Sequence, residues 1–150
     1  MITAADVAAY ILDRQGEMTA MKLQKLVYYS YAWHLVWEGE KLFEDRIEAW
    51  ANGPVVPSLY KLHRGQFKVS SLPEGIPDHV VGDPSALTSV DAVLNHYGDK
   101  SPFYLSELTH SEDPWKAARQ GLNPGERGSV PISDAKIVEY HEGFVLPDDA

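Results

Sequence analysis

The stretch from Met21 to Trp37 constrains this chain more than any other, because apolar residues take nearly every side of the helix it predicts. Leu23, Leu26, Val27, Ser30, His34 and Trp37 fall on one face, and Met21, Tyr28, Ala32 and Leu35 form a second stripe. A helix that is apolar all round has no face to offer water, so other elements must surround it. Thr19 is placed to cap it, and Gly39 to stop it after Glu38. Lys22 and Lys25 are expected to keep its first turns wet. This helix is the spine of the domain.

The remaining segments supply what surrounds it. Thr3 and Asp6 form a capping box ahead of Ala4, Val7, Ala8, Ile11 and Leu12, and Gly16 ends that helix. Ile47, Ala49 and Ala51 alternate with Arg46, Glu48 and Trp50, the period of a short strand. Asn52-Gly53 then reads as a turn, and Pro54-Val55-Val56-Pro57 as extended chain, because each proline restricts the residue before it. A brief helix from Pro57 to Arg64 closes at Gly65. Gln66 to Pro84 carries three prolines and two glycines and reads as a loop, with Phe67-Lys68-Val69 as a short strand. Thr88 and Asp91 make a second capping box before Val90, Val93, Leu94 and Tyr97, with Gly98 as terminator. Ser101-Pro102 and Asp113-Pro114 each pair a cap with proline at the first helical position. Gly121 stops the helix Trp115 to Gln120, and Ser133 caps a last helix flanked by Ile132 and Ile137. The expected fold is mainly α: one compact domain of six or seven helices, with a minor strand or hairpin element around residues 43–70. The domain is expected to span residues 1–145, with 146–150 as an acidic C-terminal tail.

With 150 residues, 44% of them hydrophobic and 23% charged, the chain can bury a core without metal or disulfide staples. It has no cysteine, which excludes thiolate zinc sites and Cys nucleophiles and suits a reducing cytoplasm. No apolar run reaches the roughly 18 residues of a membrane span, and Met1 to Asp6 lacks the pattern of a signal peptide. A formal charge of −9 argues against nucleic acid as a partner and against an autorepressor role.

Catalytic chemistry is hard to find. The six histidines (His34, His63, His79, His96, His110 and His141) include no metal-ligand spacing, and no metal or cofactor is expected. His34 sits on the apolar stripe and reads as a buried, hydrogen-bonded core residue. His110 and Glu112, with Arg119, could move a proton, but Asp113 and Pro114 are also accounted for by capping alone. Phosphate loops and a G-x-S-x-G elbow are absent, and Lys61, His63, Arg64 and Lys68 read as a solvated basic face. Aromatic residues are plentiful: Trp33, Trp37, Trp50 and Trp115 with eight tyrosines. Trp50, leading into a segment stiffened by Pro54 and Pro57, is either a pre-ordered docking element or a packed connector.

Several blocks together resemble the Panacea domain family, whose members include SocA-like antitoxins and GepA-like phage-associated proteins. The first is Lys22-Leu23-Gln24-Lys25-Leu26-Val27-Tyr28-Tyr29 with Trp33-His34 and Leu42-Phe43. The most distinctive runs from Ile47 through Trp50, Gly53, Pro54 and Pro57 to Tyr60, and later matches are Tyr97-Gly98, Leu108-Thr109-His110 and Pro114-Trp115. The resemblance spans roughly Thr3 to Tyr140. It implies a non-enzymatic interaction module that neutralises a toxin encoded nearby by direct contact, without cofactors. It also implies a second mode, an adaptor that hands the toxin to a ClpXP-type protease, and leaves self-association into a homo-oligomer open. On this reading Trp50, Gly53, Pro54, Val55, Val56, Pro57 and Tyr60 form a rigid element at or beside the contact surface. Lys22, Gln24 and Tyr28 orient it from the spine helix.

Overall fold

The computed structural model describes residues 1–144, so the expected acidic tail lies outside the described residues. Among them are eight helices and two short antiparallel strand pairs. Helix α1 (Ala4–Gln15) starts at the anticipated capping box: the Asp6 amide donates to Thr3 Oγ1, and the Thr3 amide donates to the Asp6 carboxylate. The spine is α2 (Ala20–Glu38), capped by Thr19 and closed by Gly39 in the left-handed region at φ 71°. Every residue from Leu23 to Leu35 is buried. It packs against α1, α5 (Pro84–Tyr97), α6 (Pro102–Ser111) and α8 (Asp134–His141). That is the enclosure its composition demands.

Two polar pairs inside this shell help fix how the helices meet. His34 Nδ1 lies 2.8 Å from Ser89 Oγ, and Trp33 Nε1 donates to Tyr97 Oη at 3.0 Å. Tyr97 also stacks on Tyr29, ring centroids 4.3 Å apart, so α5 is tied to α2 by both apolar and polar contacts.

Three sequence expectations change at the helix starts. Thr88 and Asp91 are not a cap: α5 begins earlier, where the Asp83 side chain accepts from the Ala86 amide and Pro84 takes the first position. Thr88 instead donates back to the Pro84 carbonyl, and Asp91 accepts from the Tyr10 hydroxyl. The cap of α7 (Asp113–Ala118) is Glu112 rather than Asp113, which leaves Asp113 in solvent beside Lys116 at 3.7 Å. Within the span read as a loop, Pro77–Val81 forms a short helix, α4. Asp6 draws it in: Asp6 Oδ1 accepts from the Ile76 amide, and Oδ2 lies 2.9 Å from His79 Nδ1. Gly75 lets this happen, since a side chain there would strike the Ala5 carbonyl.

The strands sit together at one end of the spine. Strand β1 (Met18–Thr19) pairs with β4 (Lys68–Val69), and β2 (Glu48–Trp50) forms a hairpin with β3 (Gly53–Val55) in the register Glu48–Val55, Ala49–Pro54, Trp50–Gly53. The far edge of β2 is also occupied. Ala49 donates to the Val130 carbonyl and Ile132 to the Ile47 carbonyl, both at 2.9 Å, with a bridge between Glu48 and Pro131. Helix α3 (Pro57–His63) follows β3 directly.

Candidate functional site

The hairpin is clamped onto α2 by two neighbouring side chains. Gln24 Oε1 accepts from the buried Val56 amide at 2.9 Å, which turns its NH2 group towards the Val56 carbonyl (3.4 Å) and His63 Nε2 (3.0 Å). A donating amide at Nε2 assigns His63 the tautomer protonated at Nδ1. Burial holds the His63 pKa below its ordinary value, so the ring is neutral at pH 7.

Lys25 is the second clamp and a correction to the sequence reading. Its side chain is inside rather than wet, with 2% of the residue exposed, and Nζ donates to the Pro54 carbonyl at 3.3 Å. Gly53 makes the room. At φ 122°, a Cβ there would stand 2.6 Å from Lys25 Cε and 2.9 Å from Thr109 Oγ1. Taking the ammonium out of water pushes its pKa down to about 8.

Of the residues anticipated at a contact surface, Gly53, Pro54, Val55 and Val56 are buried, and Tyr28 is interior, edge-on to Tyr29. They hold the element in place, and of them Val55 also lines the groove described below. Gln24 bonds the end of the hairpin, whereas Lys22 donates to the Gly98 carbonyl at 2.7 Å. Trp50, Pro57 and Tyr60 are half-buried and reach the surface. The Trp50 ring meets Tyr60 edge-to-face at 5.1 Å, its indole N–H donates to Glu48, and its carbonyl accepts from Trp115 Nε1 at 2.8 Å.

These side chains border a groove of about 520 Å³. Ala20, Met21 and Lys25 line it from α2, Trp50, Val55, Tyr60 and His63 from the hairpin and α3, and Arg127 to Ser129 from later in the chain. Among the described residues, none that lines the groove is acidic, although the chain has 22 carboxylate side chains against 13 Lys and Arg. Burial of Lys25 was not legible beforehand, because a helical wheel cannot say which non-local element will cover a given lysine.

The proton-transfer alternative does not assemble. The His110 ring stacks on Trp115 with centroids 4.3 Å apart, and its nearest carboxylate is Glu107 at 3.9 Å. Arg119 points elsewhere, donating to the carbonyls of Ala49, Asn123 and Glu126. Glu112 turns into the core, where it accepts from the Tyr29 hydroxyl at 3.1 Å and lies 4.0 Å from His141 Nε2. Burial pushes the Glu112 carboxyl up to about 8 and the His141 ring down, which favours the neutral form of each.

A helical shell around one buried spine, with an aromatic-edged hairpin locked to its N-terminal half, defines a scaffold that presents a preformed groove. The chain belongs to the antitoxin SocA-like, Panacea domain family, whose model matches residues 23–116. The match takes in most of α2, the hairpin, α3, α5 and α6 and reaches into α7. No curated protein and no solved structure gives a significant match. Among the described residues no helix is long and apolar enough to cross a membrane.

Proposed function

We propose that this protein is an antitoxin that neutralises a toxin by binding it directly, with the groove edged by Trp50 and Tyr60 as the docking surface. The family supplies the role, and the toxin partner follows from it. One observation carries the choice of surface: a groove with apolar and aromatic walls, free of acidic lining, on a strongly acidic molecule. Half-buried Trp and Tyr side chains are the residues that most often anchor protein interfaces. Here they are held before any partner arrives, by Gln24, Lys25, Pro54 of the hairpin and Pro57 at the start of α3. Pre-ordering lowers the entropic cost of association.

The test uses the product of the open reading frame beside this one. Purified together, the two proteins should form a complex, and Trp50→Ala with Tyr60→Ala should weaken it by on the order of 2 kcal/mol or more, as truncated anchors do. Unchanged binding by a folded double variant would remove the groove from the interface. Degradation of the bound toxin by a reconstituted ClpXP-type protease, only when this protein is present, would replace occlusion with delivery as the mode of neutralisation.

A further inference from the structure

We infer that the groove is a carboxylate-reading site: Lys25 recognises an acidic group that sits beside an apolar side chain on a partner polypeptide. The inference deepens the docking reading and rests on it. Its basis is the state of the Lys25 ammonium. That group has three donors, and the protein gives it one acceptor, the Pro54 carbonyl at 3.3 Å. Among the described residues no carboxylate lies within 4 Å of it. A buried cation without a counter-ion is costly, and paired ones are the rule. Lys25 is one of the residues that line the groove, so an anion bound there is placed to complete the pair that the fold leaves open.

The surroundings select what carries the anion. Met21, Trp50, Val55 and Tyr60 give apolar walls, which suit a leucine-like or aromatic side chain. Arg127 at the margin adds a second positive charge, and no lining carboxylate opposes the approach of one from outside. His63, which lines the groove with Lys25, and His110, which feels the Lys25 charge, both have their pKa lowered chiefly by burial and are neutral above pH 7. Of the groups that line the groove, Lys25 is the one that changes charge between pH 7 and 9, while Glu112, which does not line it, titrates over the same range.

The probe is N-acetyl-leucine, compared with N-acetyl-leucinamide, which has the same apolar group and no charge. Each is titrated into the full chain while the Lys25 Cε and Trp50 indole NMR signals are followed. The acid is expected to shift both signals and to bind at least about tenfold more tightly than the amide, the scale of a charge-assisted hydrogen bond. That preference should fade as pH rises from 7 to 9. Lys25→Met keeps the length of the side chain and should bind acid and amide equally. Equal binding of the two probes by the unaltered protein, no shift with the acid, or a preference independent of pH would each overturn the assignment. A pH series on Glu112→Gln, in which that second group no longer titrates, serves even if the Met variant does not fold. The two readings fail separately. Toxin binding lost in Trp50→Ala but kept in folded Lys25→Met sinks the carboxylate site and leaves the docking surface. Probe discrimination with toxin binding indifferent to Trp50 and Tyr60 does the reverse.

Discussion

Replacing Glu112 with glutamine is expected to stabilise the protein, and to do so increasingly as pH rises above about 4.5. The carboxyl is almost fully enclosed, and its pKa rises from an ordinary 4.5 to about 8, chiefly because burial disfavours the charged form. Folding therefore favours the protonated acid. Stability from this group is complete below the unfolded pKa and is lost as pH climbs towards the folded one. At about 1.4 kcal/mol per unit, the penalty is nil near pH 4, about 3 kcal/mol at pH 7 and roughly 5 kcal/mol above pH 8. Glutamine carries no such penalty and nearly the same shape. Its oxygen can still accept from Tyr29 Oη, and its NH2 group faces His141 Nε2, an acceptor because Nδ1 donates to the Ile137 carbonyl. His141 pulls the opposite way at low pH, since burial lowers its pKa, but it does so in both proteins and largely cancels in the comparison. Urea unfolding of the two proteins at half-unit steps from pH 5 to 9 reads the difference directly. A gap that widens up to about pH 8 and then levels off is the expected result. A difference independent of pH would mean that Glu112 is solvated or paired in a way the geometry does not contain.

Two further substitutions probe the hairpin clamp. Gly53→Ala forces a Cβ against Lys25 Cε and Thr109 Oγ1 at a backbone angle of φ 122°, and should cost about 3 kcal/mol in chemical denaturation. A loss well under about 1 kcal/mol would show that the cradle opens easily. Gln24→Leu leaves the buried Val56 amide without an acceptor and should cost about 1–3 kcal/mol, with faster hydrogen exchange confined at first to Val56. Exchange at Val56 as slow as in the unaltered protein would show that water replaces the glutamine.

Much of the helical layout was legible because caps are local. The Thr3–Asp6 box, Thr19, Ser101-Pro102 and Ser133 each act within three residues, and each forms. Thr88–Asp91 has the same spacing but fails, since Asp83-Pro84 offers an earlier start and Tyr10 claims Asp91 from another helix. Helix α4 could not be read from its own five residues, as its partner Asp6 lies some seventy positions away. The candidate site divides the same way. Trp50 and Tyr60 were visible as aromatics beside stiff turns. Burial of Gly53 to Val56, the inward turn of Glu112 and the interior position of Lys25 depend on the β3, α6 and α8 contacts, which arise only once the chain has closed.

The pairing of β2 on both sides has a consequence for how this molecule meets others. With β3 along one flank and residues 130–132 along the opposite one, the strand has no spare row of amides and carbonyls to lend. Strand addition to β2 itself is therefore closed, whether by a guest or by another copy of this chain. Whatever settles beside Trp50 must be read through its side chains, so selectivity at this spot rests on shape and charge rather than on a backbone ladder any sequence could join.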